Sequence, residues 1–174
     1  GLGDFISGFT GDHIGDKRVL ICLYDNPLLH VDIKFLTPGE FYYRVENPKV
    51  VWERGRILTD IIESTNAKWP ELDFQWLEDR FWTWVHYVTV KLGRGENFEA
   101  LEGISFLRCH VTSSLLQIKN KQLPRGLRRV EFAFDEESRQ QLIETIPRYE
   151  TASLFEALEN TVALYRDLRS QLFS

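Results

Sequence analysis

The sequence predicts an α+β fold in which a small antiparallel sheet precedes a bundle of helices. Short runs of strand-forming residues, joined by turn residues, occupy the chain before Pro70. After Pro70 the apolar residues recur at steps of three and four, which is the period of amphipathic helices. We therefore expect two domains, residues 1–65 and residues 66–174.

The first domain is predicted to contain a hairpin. Residues 18–24 form a short apolar run, Asp25-Asn26-Pro27 supplies turn chemistry, and residues 28–36 form a second run. Two strands joined by so short a connection pair antiparallel. Residues 40–45 are expected to form one helical turn, and residues 49–53 a third strand.

The second domain is predicted to begin with a long helix. Its apolar stripe includes Phe74 and Val88, Asp73 is a suitable N-cap, and Gly93 ends the run as a C-cap residue would. Asn97 is expected to cap a second helix, because apolar residues again recur at helical spacing after it.

The last third of the chain is predicted to contain one extended segment and two further helices. Residues 130–134 alternate weakly between apolar and polar, as an extended segment does. A short helix is expected to open at Asp135 and to end before Pro147. Ser153 and Glu156 have the spacing of a capping box and are expected to start the final helix.

Composition excludes several classes of protein. The chain has 174 residues, 43% of them hydrophobic, with a formal charge of -5, so disorder is not expected and a dedicated nucleic-acid binder is disfavoured. No apolar run approaches the roughly 20 residues that span a bilayer. Cys22 and Cys109 have no Cys-x-x-Cys spacing, so we expect two buried, reduced thiols in a cytoplasmic protein. Composition leaves the oligomeric state open.

One strand presents a polar face on which catalysis is conceivable. Alternation along residues 29–35 places His30, Asp32 and Lys34 opposite an apolar face. Asp32, fixed by the sheet, is suited to bind Mg²⁺ or accept a proton. Lys34 can meet a phosphate and His30 can orient either group, although a half-exposed strand with solvated charges has the same pattern.

A second candidate cluster lies near the end of the long helix. Arg80, Tyr87 and Lys91 share a helical face, Arg94 follows in a glycine-flanked turn, and Glu96 comes next. The functional interpretation is a platform for phosphate and base, with Glu96 as a general base. The structural alternative is that cations near a helix C-terminus simply interact favourably with the helix dipole.

A loop of basic residues is a third, weaker candidate. Residues 124–129 read Pro-Arg-Gly-Leu-Arg-Arg. Solvated surface is the default interpretation of such a loop, and contact with the phosphate of a substrate or nucleotide is the alternative.

Five stretches carry a resemblance to a known family; they are residues 30–35, 50–55, 78–87, 91–100 and 124–131. They are similar to a bacterial nucleotidyltransferase-domain family in the polymerase-beta-like superfamily, which includes the aminoglycoside and lincosamide adenylyltransferases. The resemblance implies that residues 1–65 are the C-terminal part of a mixed-sheet nucleotidyltransferase domain. It implies that residues 66–174 are a helical domain that closes over the substrate.

The resemblance also implies an activity. Such enzymes use two Mg²⁺ ions to move a nucleoside monophosphate, usually AMP from ATP, to a hydroxyl of a small acceptor, which is an antibiotic in some members. Asp32 matches the third carboxylate of the family's site. The Asp-x-Asp pair expected upstream of Arg18 is not in the sequence, which also contains no methionine. We therefore expect either a preceding segment or a catalytically incomplete nucleotide-binding or protein-interaction module; a helical adaptor without a ligand is a third possibility.

Overall fold

The chain forms two compact units, Gly1–Pro70 and Glu71–Ser174, and the computed structural model describes residues 1–173. The α+β class is confirmed, because the first unit contains a three-stranded sheet and the second is helical. The elements of the first unit are β1 (Asp4–Gly11), a 3₁₀ turn (Asp12–Ile14), β2 (Asp16–Asp25), β3 (Leu29–Lys34), α1 (Pro38–Phe41) and α2 (Ile57–Ser64).

The sheet of the first unit has the strand order β1-β2-β3. The predicted hairpin is confirmed, since β2 and β3 pair antiparallel with Ile21 opposite Asp32. The strand β1 was not predicted, and it pairs antiparallel with β2 on the other side. All described pairs are therefore antiparallel, and the parallel strand that a mixed sheet requires is not among residues 1–173.

The strand predicted at residues 49–53 does not form. Val51 and Trp52 are 89% and 76% exposed, and the segment makes no sheet pairing among the described residues. The Glu53 carboxylate instead accepts hydrogen bonds from the backbone N–H groups of Leu58 and Thr59, at 3.0 and 3.1 Å. Because the first N–H groups of a helix lack partners within it, this carboxylate stabilises the start of α2.

The second unit packs its helices around one apolar core. Its elements are α3 (Phe74–Gly93), α4 (Asn97–Leu107), a π-helical segment (Arg108–Thr112), α5 (Ser113–Lys119), α6 (Val130–Ala133), α7 (Glu136–Ile143) and α8 (Thr151–Leu172). Phe81 of α3 and Tyr165 of α8 are fully buried, with their rings stacked at a centroid distance of 3.5 Å. Ile104 of α4 and Leu154 of α8 are also fully buried in this core.

The predicted boundaries of α3 are confirmed. The Asp73 side chain accepts a hydrogen bond from the Trp76 N–H at 2.8 Å, as an N-cap does, and Gly93 is the last residue of the helix, with Arg94 and not Gly93 in the C-cap position. Asp135 likewise caps α7 by accepting a hydrogen bond from the Ser138 N–H at 2.7 Å. Each of these acidic residues satisfies a backbone donor that the helix itself leaves without a partner.

Three details of the helical unit differ from the predictions. Residues 130–133 are not extended but form the short helix α6, which begins at the buried Val130, and only Phe134 that follows has extended backbone angles. Glu96, not Asn97, occupies the N-cap position of α4, and the Asn97 amide donates to the Thr151 hydroxyl at 3.1 Å. The helix α8 begins at Thr151, and the Ser153 hydroxyl accepts a hydrogen bond from a backbone N–H before the helix, at 3.0 Å.

Both cysteines carry free thiols, Cys22 buried in the sheet and Cys109 only partly buried in the π-helical segment. Complete burial was therefore predicted correctly for Cys22 and wrongly for Cys109. None of the helices in residues 1–173 combines the length and apolar content needed to cross a membrane.

Candidate functional site

The polar face of β3 presents one carboxylate beside one imidazole. Asp32 Oδ1 lies 2.9 Å from His30 Nε2, and the Asp32 side chain is 62% exposed. Alternation along the strand fixes both side chains on the same face, as the sequence predicted. The carboxylate is thus held by a rigid element, contacts a group able to orient it, and remains accessible to a ligand.

Lys34, on the same face, is already paired. Its Nζ lies 2.9 Å from Asp16 Oδ2 at the start of β2, and Arg18 Nε lies 3.3 Å from the other oxygen of that carboxylate. The hydrogen bond from Lys34, the backbone N–H of Arg18 and the Arg18 guanidinium together lower the pKa of Asp16 to about 2. A phosphate that approached Lys34 would therefore compete with an ionised carboxylate.

The charged network of this face extends to Glu40. The Arg18 guanidinium is bonded to Glu40, whose carboxylate also accepts hydrogen bonds from the Thr37 N–H and hydroxyl at 2.8 Å. Thr37 is the largest cause, and Arg18 a further cause, of a Glu40 pKa lowered to about 2. Asp16 and Glu40 were not predicted as members of this cluster, because their proximity depends on strand register and on the turn into α1.

The fit of this face to a metal ion is partial. Asp32 supplies one accessible oxygen ligand of the kind that Mg²⁺ prefers. Within residues 1–173 no group of three His, Cys, Asp or Glu side chains is arranged to hold a metal ion. Asp32 is therefore a single candidate ligand on this face, and the described residues do not supply a complete set of ligands for a metal ion.

The second cluster joins the end of α3 to the start of α4. Lys91 Nζ donates to Glu96 Oε2 at 2.6 Å and lies 2.7 Å from Glu99 Oε2, while the Tyr87 hydroxyl donates to Glu99 at 2.7 Å. The Lys91 ammonium also lies 5.2 Å from the centre of the Tyr87 ring. The Lys91 side chain is only 14% exposed, so two carboxylates and a ring surround its charge.

The electrostatics of this cluster are those of a closed ion-pair network. The hydrogen bonds to Glu96 and then Glu99 raise the pKa of Lys91, and the Lys91 ammonium lowers the pKa of Glu99. The Glu99 carboxylate raises the pKa of Tyr87. Because the ammonium is matched by two carboxylates, Lys91 is positioned to anchor Glu96 and the first turn of α4.

The two arginines predicted for this platform lie in different surroundings. Arg94 is mostly exposed, with a guanidinium nitrogen 3.9 Å from Glu96. Arg80 precedes Lys91 by 11 residues, or about 16 Å along the helix. Its guanidinium lies over the Trp76 ring at 4.4 Å and donates to the Trp76 carbonyl at 3.0 Å. The structure therefore groups Tyr87, Lys91, Arg94 and Glu96 together and leaves Arg80 outside.

Sequence reasoning missed Glu99, which completes the second cluster. The sequence signal that could have found Glu99 was an acidic residue in the first turn of a helix that follows a tight turn with two glycines. Gly95 has a φ of 74°, a left-handed value that reverses the chain there and brings the start of α4 beside the end of α3.

No protein-family model matches this chain, and no curated protein matches it. Of the two clusters, the face of β3 presents an accessible carboxylate, whereas the cluster at Lys91 is internally neutralised.

Proposed function

We propose that this protein is a nucleotidyltransferase that moves a nucleoside monophosphate, AMP from ATP, to a hydroxyl of a small acceptor in a Mg²⁺-dependent reaction. The observation that carries the proposal is Asp32, an accessible carboxylate fixed on β3 with His30 Nε2 at 2.9 Å. The resemblance of five sequence stretches to the nucleotidyltransferase-domain family supports the same interpretation. The free thiols of Cys22 and Cys109 support a cytoplasmic location, where thiols stay reduced.

The residues on the polar face of β3 have distinct roles in this proposal. Mg²⁺, when bound, supplies positive charge to the phosphates of the nucleotide. Asp32 provides one oxygen ligand for that ion, and His30 orients the carboxylate. Lys34 keeps Asp16 ionised, so Lys34 sets the charge of this face and contacts phosphate only by exchanging partners.

The residues of the helical unit are assigned by their pairing. Arg94 is the exposed cation of its cluster and is suited to contact an anionic group directly. Lys91 and Tyr87 hold Glu96 and Glu99 in place and act as positioning residues. For a base role, Glu96 Oε1 is the oxygen left to accept a proton, since Oε2 accepts a hydrogen bond from Lys91 and Oε1 lies 3.9 Å from Arg94.

The metal role is tested by titrating the full-length protein with Mg-ATP in a calorimeter, comparing Asp32→Asn with Asp60→Asn. Asp60 is an equally exposed carboxylate of the same unit, 3.2 Å from Arg56, and it serves as the matched control. We expect Asp32→Asn to weaken Mg-ATP binding at least tenfold, the order of loss seen when groups around a metal are removed. Asp60→Asn should leave the affinity within twofold. Absence of Mg-ATP binding, or equal affinities of the two variants, would refute the assignment.

A catalytically incomplete nucleotide-binding module is the second candidate. It is favoured by the absence of a three-residue metal group in residues 1–173 and by the closed ion pairs around Lys91. The two candidates differ in turnover. With ATP labelled on the α-phosphate and a panel of hydroxylated acceptors, the enzyme transfers label to an acceptor, whereas the incomplete module binds Mg-ATP and transfers none.

A further inference from the structure

A cationic cavity lies in the helical unit and includes residues of the basic loop 124–129. It has a volume of about 510 Å³ and lies between the end of α5, the loop that follows, and α6. The residues that line it include Arg125, Arg128, Arg129, Gln117 and Phe132. The volume falls within the range of about 300–1,000 Å³ that is typical of pockets for small molecules.

The charge of this lining is of one sign. Three arginines and no carboxylate line the cavity, in a chain whose formal charge is -5. Within residues 1–173, neither the Arg128 nor the Arg129 guanidinium has a hydrogen-bond or ion-pair partner. Like charges gathered in a concave surface repel one another and concentrate a positive potential there, which an anionic ligand relieves.

The loop that forms the cavity is fixed to the helical core. The buried Gln117 side chain accepts a hydrogen bond from the Arg125 N–H at 2.7 Å. Asn120 donates to the Ser138 hydroxyl at 2.9 Å and accepts from the Asp135 N–H at 3.3 Å, which ties the end of α5 to the start of α7. A cavity held in this way needs little ordering when a ligand enters, so binding loses little conformational entropy.

We propose that this cavity binds a small molecule that carries phosphate groups and a flat apolar portion. Guanidinium groups donate pairs of hydrogen bonds that match phosphate oxygens. Phe132, which is 84% exposed, offers a ring face to the apolar portion. A polycationic molecule is unsuited to this cavity. The site is assigned from its own residues and does not depend on the proposed transfer reaction.

Calorimetry with the full chain tests the site, with pyrophosphate, ATP and adenosine as separate probes. EDTA is present so that metal-dependent binding elsewhere does not contribute. We expect pyrophosphate and ATP to bind, ATP more tightly, and adenosine to bind at least tenfold more weakly than ATP. Because each arginine donates charge-assisted hydrogen bonds, Arg128→Gln and Arg129→Gln should each weaken pyrophosphate binding about tenfold. Raising the salt concentration should weaken it further.

The matched control is Arg148→Gln, which removes the same charge from an exposed side chain of the same unit, outside the cavity. Arg148→Gln should leave pyrophosphate binding within twofold, and circular dichroism checks that every variant is folded. Equal losses in Arg128→Gln and Arg148→Gln would overturn the site in favour of nonspecific attraction. No binding of pyrophosphate or ATP overturns it as well. A single-stranded oligonucleotide that binds more tightly than ATP, and loses affinity in Arg128→Gln, would replace it with a nucleic-acid surface.

Discussion

Replacing Tyr165 by phenylalanine should weaken the helical unit by a predictable amount. Tyr165 is fully buried, and its hydroxyl donates to Glu78 Oε2 at 2.6 Å, which joins α8 to α3. The variant keeps the ring stacked on Phe81 and loses only this hydrogen bond. A hydrogen bond to a charged group contributes about 1.5–3 kcal/mol to stability.

The lower end of that range applies to Tyr165. The Glu78 side chain is 25% exposed and still receives a hydrogen bond from Arg169 Nε at 2.7 Å after the hydroxyl is removed. The remaining carboxylate is therefore not left buried without a partner, and we expect a loss of about 1.5 kcal/mol. For a unit of about 100 residues this corresponds to a Tm lower by roughly 6–12 °C.

The loss should depend on pH in a definite direction. Arg169, and secondarily Tyr165, lower the pKa of Glu78 in the folded state. A carboxylate with a lowered pKa stabilises the folded state above its unfolded pKa of about 4.3, and this stabilisation disappears as the pH falls through the folded value. The difference between the wild type and Tyr165→Phe should therefore be largest near pH 7 and shrink below about pH 4.

Urea denaturation followed by the helical signal in circular dichroism, at pH 7 and at pH 3, measures both effects. Tyr149→Phe is the control. Because Tyr149 is exposed, the loss of its hydroxyl should change the free energy of unfolding by less than about 0.5 kcal/mol. A loss in Tyr165→Phe no larger than the control, or one equal at both pH values, would contradict the reasoning.

Two further predictions concern packing and acid stability. Gly103→Ala places a Cβ 2.5 Å from Cγ2 of the buried Val88 and should lower the free energy of unfolding by about 1–2 kcal/mol. In Gly93→Ala the new Cβ meets no atom within 4 Å, so this variant should raise the free energy of unfolding by about 0.5 kcal/mol. Thermal melts distinguish the two variants. Asp16, whose pKa Lys34 and Arg18 lower to about 2, stabilises its unit above an unfolded pKa of about 3.9. Asp16→Asn should therefore be less stable than the wild type at pH 7, and their acid unfolding curves should converge near pH 2, unless the ion pair contributes nothing.

The elements that could be predicted are those in which local signals agree. The helix α3 has apolar residues at helical spacing, Asp73 as its N-cap and Gly93 at its end, and all three indicate the same boundaries. The hairpin of β2 and β3 is likewise determined by two apolar runs and one short turn. Where independent local preferences favour the same structure, the element can be predicted without knowledge of the tertiary packing.

The strand β1 could not be predicted from local sequence, because it forms through its tertiary pairing with β2. Gly8 lies in its interior, and glycine is rare in strands. A Cβ at Gly8 would lie 3.2 Å from the Ile21 carbonyl oxygen and from the Phe5 ring, so the glycine permits the close approach of β1 to β2. The opposite error, at residues 49–53, has a related cause, since Val and Trp favour strands only where a neighbouring strand is available.

The candidate site shows the same division between local and tertiary information. Alternation placed His30 and Asp32 on one face correctly, because the period of a strand is local. The partner of Lys34 could not be read from the sequence, because Asp16 reaches it only through the register of β2 and β3. Arg80 was grouped with Lys91 by their shared helical face alone, although their separation of 11 residues already places them about 16 Å apart along the axis.

The three basic clusters differ as anion sites in whether their cations are already paired with carboxylates. Lys34 and Lys91 already lie 2.9 Å or less from carboxylates. The free energy of phosphate binding at either lysine is therefore reduced by the ion pair that the phosphate must disrupt. Arg128 and Arg129 have no such competitor among residues 1–173, and the cavity lining adds no negative charge. An incoming phosphate there removes repulsion between cations instead of breaking a salt bridge. This loop, for which the sequence alone favoured solvated surface over phosphate contact, is therefore the strongest anion-binding candidate in the helical unit.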